Sequence, residues 1–422
     1  MKTTVTLGAV AAVVLAGAAA RGQAPEGAAG APAGGMAIRS IEGPAAGVSE
    51  SLRREAAAAV ARGAAWLKSQ QNAAGHWSNP AHPALTALPV WALALAGEGT
   101  GEAAKKGVAH IRSCAKENGA IFVEPGGANT AGGMANYNTA LCMVALKLAG
   151  GPDAVPAIQK AREFVARSQH LGGDVYFGGM GYDAGTGRAY ADLSNSYIAY
   201  EAMRMTESVE DLRTSKEARA DLDWKAAQEF IQKTQNDPSV NPQPWASDDP
   251  SERGGFVYTP EQTRAGTSTN RQGIVKFRSM RGMTYAGLLS YIYAEVDRND
   301  PRVEATVNWA VSHWSLDANN PLMAGRTPDD KVATNDEREG LYYLYSVMAK
   351  GLAAYGKDVF RPKTGAAFNW RVELIEKLLA LQKTEAATGH GYWVNDVGRY
   401  WESDPVLVTS YALLALQTAL GE

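Results

Sequence analysis

Seven side chains with chemistry to offer stand at or near the starts of apolar helical segments: Asp192, Asn195, Arg278, Arg281, Tyr285, Tyr342 and Asp404. Asp404 precedes Pro405, and Asp192 opens the string "DLSNSY". An Asp in that position accepts the free N–H groups of a first helical turn, and a proline suits the first helical position, so both aspartates read as N-caps. A capping carboxylate at the mouth of a cavity could also serve as an acid, so both roles are carried forward. Arg278 and Arg281, three residues apart, suit the grip of an anionic group such as a diphosphate or carboxylate, or else bridge neighbouring helices. Tyr197, Tyr200, Tyr285, Tyr291, Tyr293, Tyr342, Tyr343 and Tyr345 crowd three of the apolar segments. Aromatic faces stabilise a carbocation or hold an alkyl chain or sugar ring, and the same spacing also builds a core. The seven residues form the candidate ligand site, without an assigned catalytic set. The six histidines are scattered singly rather than at metal-ligand spacing, so neither a metal nor a cofactor is expected.

These residues are positioned by a repeat. Six times a helical stretch enters a Gly-rich, often Trp-bearing turn and an apolar helical stretch follows, the second helices beginning near Pro83, Tyr137, Asn195, Met283, Leu341 and Pro405. Units that cannot bury their own apolar face must stack on neighbours. Segments such as "PVLVTSYALLALQTAL" carry few charges and require cover on most sides, whereas the first helices are amphipathic. The expectation is an all-α ring of six hairpins, an α/α toroid with the second helices inside. Six parallel inner helices bring their N-termini, with free N–H groups and partial positive charge, to one mouth. The long connection from Asn236 to Arg278 belongs to that mouth, and connections of such length are usually functional. Pro89 should bend the first inner helix, and Trp77 and Trp393 should pack between neighbouring repeats.

Forty-one basic side chains balance 44 acidic ones without a block of either sign, which leaves no electrostatic footprint for nucleic acid or anionic lipid. Residues 1–24 read as a secretory signal peptide: Lys2, a short Ala/Val/Gly-rich run, then small residues. The run is short of a stable membrane span. Residues 25–50 read as an Ala/Gly/Pro-rich tether and 51–422 as the toroid, in a protein exported to the periplasm or beyond. An oxidising compartment would permit Cys114 and Cys142 to pair. Helix axes ~8–10 Å apart against a Cα limit of ~7 Å leave a disulfide and two buried thiols both open.

The six-fold pattern from about Ala58 to Leu420 resembles the prenyltransferase and squalene oxidase repeat family. The strings "GGMGYDAGTGRAYADLSNSYIAYEAM", "GGFVYTPEQTRAG", "RSMRGMTYAGLLSYIYAEVDRNDPRV", "EGLYYLYSVMAKGLAAYG" and "WESDPVLVTSYALLAL" are similar to secreted squalene-cyclase-like proteins of planctomycete-type bacteria. The resemblance implies a toroid with a central cavity. The Asp-x-Asp-Asp-Thr acid motif of the cyclases is not matched, because the nearest string, "SDDPSE" with Asp248 and Asp249, lacks the first Asp and the Thr. The zinc-binding Asp, Cys and His of the prenyltransferases are not matched either, since no cysteine follows Cys142. The Gly-Cys-Gly-Glu-Gln motif of the related thioester domains is also missing.

Two functions stay open. One is a cavity-binding toroid of the cell envelope without standard cyclase or prenyltransferase chemistry. The other is an enzyme with altered acid chemistry, acting on an isoprenoid or, by fold analogy, on a polysaccharide. An apolar lumen points to isoprenoids. A lumen of Tyr hydroxyls, Arg and Asp points to a polar ligand.

Overall fold

The structure is a computed structural model that describes residues 47–124, 133–183, 190–214, 216, 218–319, 336–363 and 365–421. The signal peptide and nearly all of the tether expected from the sequence lie outside the described residues. The outer helices are α1 (Glu50–Gln70), α3 (Glu102–Ser113), α5 (Val155–Arg167), α7 (Trp224–Thr234), α9 (Pro301–Ser312) and α11 (Trp370–Leu381). The inner helices are α2 (Ala84–Leu93), α4 (Ala135–Ala149), α6 (Leu193–Met205), α8 (Arg281–Tyr293), α10 (Leu341–Tyr355) and α12 (Pro405–Leu420). Three two-stranded antiparallel ribbons and a few short 3₁₀ turns join them among the described residues, the ribbons being Thr267–Thr269 with Val275–Phe277, Val359–Phe360 with Phe368–Asn369, and Lys383–Thr384 with Gly391–Tyr392.

Each inner helix packs on the next, and α12 packs on both α1 and α2, so the ring closes. Gln417 at the end of α12 donates to the Ala92 carbonyl of α2 at 3.0 Å. Arg53 of α1 donates to the Leu420 carbonyl at 3.1 Å, and Arg62 to the Gln382 side chain. The layers differ as their compositions require: α12 buries 14 of its 16 residues, α1 only seven of 21. Pro89 lies inside α2, which runs into a π-helical turn at Ala94–Glu98.

A repeated device joins turn to inner helix. In five hairpins the residue two places after a glycine donates its backbone N–H to a buried Thr or Ser in the inner helix. The pairs are Trp77 to Thr86, Ile121 to Thr139, Met180 to Ser196, Phe256 to Thr284 and Trp393 to Thr409. These hydroxyls thereby satisfy turn N–H groups that would otherwise be buried without a partner. Gly178 and Gly254 adopt φ of +93° and +97°, and a Cβ on either would run into a backbone carbonyl of the next outer helix, Ala226 and Ala305 respectively. Glycine is thus required both by conformation and by close approach. Trp77 and Trp393 are fully buried, their indoles donating to the Leu67 and Leu378 carbonyls of their own outer helices. Cys114 and Cys142 are free thiols, both buried.

Candidate functional site at the mouth of the ring

The aspartate caps form at the inner-helix N-termini. Asp404 accepts the Val406 N–H at 2.9 Å. Asp192, fully buried, accepts the Asn195 N–H at 2.9 Å and the Ser194 hydroxyl at 2.6 Å on one oxygen, and the Asn195 amide at 2.7 Å on the other. Burial raises the Asp192 carboxyl above the ordinary range against the pull of these donors.

Around Asp192 the structure gathers phenols from different parts of the chain. Tyr182 and Tyr190 flank the third turn, while Tyr258 comes from the long fourth connection, tied to α6 by the Leu193 N–H to the Tyr258 carbonyl at 2.9 Å. The Tyr182 and Tyr258 hydroxyls are 3.3 Å apart, and Tyr190 donates to Tyr258 at 3.5 Å. Burial first and the Asp192 charge second raise all three phenols, which therefore stay neutral as hydrogen-bonding groups. Arg264, from the same connection, lies with its guanidinium carbon 4.2 Å from the centre of the Tyr258 ring and donates to the Tyr400 hydroxyl at 3.2 Å.

Two amide oxygens in this group, Asn136 Oδ1 and Asn195 Oδ1, are buried without a hydrogen-bond partner. Their orientation is fixed, because Asn136 Nδ2 donates to the Gly181 carbonyl at 3.0 Å and Asn195 Nδ2 to Asp192. The Tyr182 carbonyl accepts the Asn136 N–H at 2.8 Å.

Below the mouth, side chains reach across the ring. Tyr343 of α10 meets Tyr197 of α6 and Tyr411 of α12, each at 6.2 Å between ring centres, although α8 separates α6 from α10. Deeper, Glu201 of α6 accepts from Lys350 of α10 at 3.0 Å and from Tyr293 of α8 at 3.1 Å, and the Lys350 ammonium lies 4.0 Å from the Trp91 ring centre on α2. The lumen is therefore bridged at two levels, by aromatic ring contacts at Tyr343 and by the ion pair of Glu201 and Lys350.

Of the residues singled out in the sequence, Asp192 and Asn195 sit together at the centre of this group. Arg278 and Arg281 point to different places. The Arg278 guanidinium is 3.4 Å from the Thr267 carbonyl, while that of the buried Arg281 clasps the His313 and Ala318 carbonyls. Tyr285 is buried where α8 meets Gly351 of α10. Tyr342 gives its N–H to Glu402 at 3.3 Å and packs its ring on Tyr345. Tyr182, Tyr190, Tyr258, Arg264 and Asn136 were not singled out. Tyr258 and Arg264 lie in "GGFVYTPEQTRAG" and Tyr182 and Tyr190 in "GGMGYDAGTGRAYADLSNSY". The available signal was this density of tyrosine and arginine beside a capping aspartate. Among the described residues no group of three or more His, Cys, Asp or Glu side chains suits a metal ion, and no helix is long and apolar enough to cross a membrane.

No protein-family model and no curated protein matches the chain. Among solved structures it is similar to variants of the type II terpene cyclase MstE from Scytonema. One, in complex with the substrate geranylgeranyl dihydroxybenzoate, is 11% identical with a TM-score of 0.48 over 89% of this chain and 99% of that one. Another, in complex with the product merosterolic acid A, is 12% identical with a TM-score of 0.47 over 88% and 99%. A protein from Actinoplanes is 15% identical, with a TM-score of 0.40 over 86% and 99%.

Proposed function

We propose that this chain is an exported toroid that binds a polar, hydroxyl-rich ligand of glycan type at the mouth of its ring. The observation that carries this reading is the pair of sealed, unpartnered acceptors, Asn136 Oδ1 and Asn195 Oδ1, beside three phenols and Asp192. A buried acceptor left unpaired costs roughly 1–3 kcal/mol, a cost that a ligand hydroxyl removes once the surrounding side chains move aside to admit it. Tyrosine rings supply flat faces for a sugar ring and hydroxyls that both donate and accept. The Glu201–Lys350 bridge argues against a long apolar guest threaded through the lumen.

Acid catalysis on an isoprenoid or a polysaccharide is the competing use of Asp192, and its hydrogen bonding opposes it. Both carboxyl oxygens accept from fixed donors, which favour the ionised form over one that presents a proton to a guest.

Export rests on residues 1–24, and N-terminal sequencing of secreted material that found an intact Met1 would contradict it. The binding reading is tested by calorimetric titration of the mature protein with cellobiose, digalacturonate and geranylgeraniol. Saccharide binding that weakens in Asn136→Ala is expected, and binding of geranylgeraniol alone would overturn the proposal.

A further inference from the structure

Arg264, half-buried, differs from the other arginines whose side chains are largely covered. Arg162 is fully buried and ion-paired with Glu210 at 3.0 Å, Arg213 pairs with Glu163 and Glu210, and Arg281 is used up on carbonyls. Arg264 makes no ion pair among the described residues, and its Nε is buried without an acceptor. Its one side-chain hydrogen bond is from Nη1 to the Tyr400 hydroxyl, and its face is covered by Tyr258. The edge formed by Nε and Nη2 is thus unspent, and that edge has the spacing of the two oxygens of a carboxylate.

The group that occupies Nη1 is itself held under strain. Tyr400 and Trp401 are consecutive non-glycine residues at φ of +57° and +67°. Both side chains are exposed, at 40% and 45%, on a segment that lies over Gly340, the N-cap of α10, with Trp401 edge-on to His82 at 4.4 Å. Left-handed backbone at two adjacent large residues costs stability and is found where function uses it.

We infer that Arg264 is the anchor for a carboxylate on the mouth ligand, and that the Tyr400 hydroxyl holds its place in the unliganded protein. This deepens the glycan reading and rests on it: the ligand is an acidic sugar, its carboxylate on the guanidinium edge and its ring against the exposed Tyr400 and Trp401. The strained segment shifts as the ligand enters, uncovering Nε.

The test is calorimetric titration of the mature protein with digalacturonate, cellobiose and inorganic phosphate, repeated with Arg264→Gln and Tyr400→Phe, each variant first checked for an unchanged helical spectrum. A charge-assisted pair predicts that digalacturonate binds about tenfold or more tighter than cellobiose, an advantage that shrinks with added salt. Arg264→Gln abolishes that advantage, while Tyr400→Phe, which keeps the ring and removes the competing hydroxyl, tightens digalacturonate. Equal binding of the two disaccharides, or an advantage that survives Arg264→Gln, overturns the inference while the glycan reading stands. Phosphate binding as tight as that of digalacturonate overturns the carboxylate assignment. Binding of neither disaccharide overturns the glycan reading itself.

Discussion

Glu402 of the sixth hairpin accepts the backbone N–H of Tyr343 of the fifth at 2.8 Å, so one repeat supplies the helix cap that its neighbour lacks. The same carboxyl accepts from the Tyr342 N–H and the Asn395 amide, which covers the open N-terminus of α10 behind Gly340. Although N–H groups at a helix N-terminus favour the anion, burial outweighs them and raises this carboxyl from 4.5 to about 7.

A pH dependence follows. Because the folded state holds the proton more tightly, the Glu402 contribution to stability is complete below pH 4.5 and is lost as the pH rises to about 7. The loss is roughly 3 kcal/mol at about 1.4 kcal/mol per pKa unit. Denaturant titrations of the wild type and Glu402→Gln across that window should show the variant with the flatter dependence. Identical slopes would contradict the assignment.

The two capping aspartates respond oppositely to amidation. Asp404 accepts one N–H through a single oxygen, a task that Asn performs as well, so Asp404→Asn should be nearly silent. Asp404→Ala should cost roughly 0.5–2 kcal/mol. Asp192→Asn sets an amide donor against one of the donors from Ser194 and Asn195, and should cost roughly 1–3 kcal/mol. Thermal melts of the three variants separate these outcomes.

Across the lumen, Lys350→Met leaves Glu201 buried without its counter-charge and should lower stability by roughly 3 kcal/mol or more. Adding Glu201→Gln should recover a large part of that loss. A double variant no better than the single one would show that the bridge contributes through packing alone.

Gly178→Ala meets both a left-handed backbone and the Ala226 carbonyl, and should cost roughly 2 kcal/mol or more. Gly389, at φ +73° with open space around it, provides the control: Gly389→Ala should cost only about 1 kcal/mol. Urea midpoints measure both.

Much of the ring was legible in the chain because its signals are local. The uninterrupted apolarity of "PVLVTSYALLALQTAL" marks an inner helix, and Asp192 and Asp404 announce their caps through the residues that follow them. The mouth is less legible because it is assembled from distant segments. Arg278 and Arg281 look like a pair at a spacing of three, yet Met280 still has extended backbone and Arg281 turns toward the 313–318 segment. Arg264, Tyr258 and Tyr182 acquire their meaning only when the fourth connection folds back over the third turn. Gly75, Gly119, Gly178 and Gly254 likewise answer to a carbonyl in the next repeat, which no window of the sequence contains.

If the mouth holds a hydroxyl-rich polar ligand against Asn136 and Asn195, that ligand should travel with the protein through purification without denaturant. Native mass spectrometry weighs and then fragments whatever small molecule is retained. A sugar-containing molecule is expected on the wild type and is expected to be lost from Asn195→Ala and from Asn136→Ala. Retention of a polyprenyl molecule instead, or of a sugar that stays bound to both variants, would contradict this reading of the mouth.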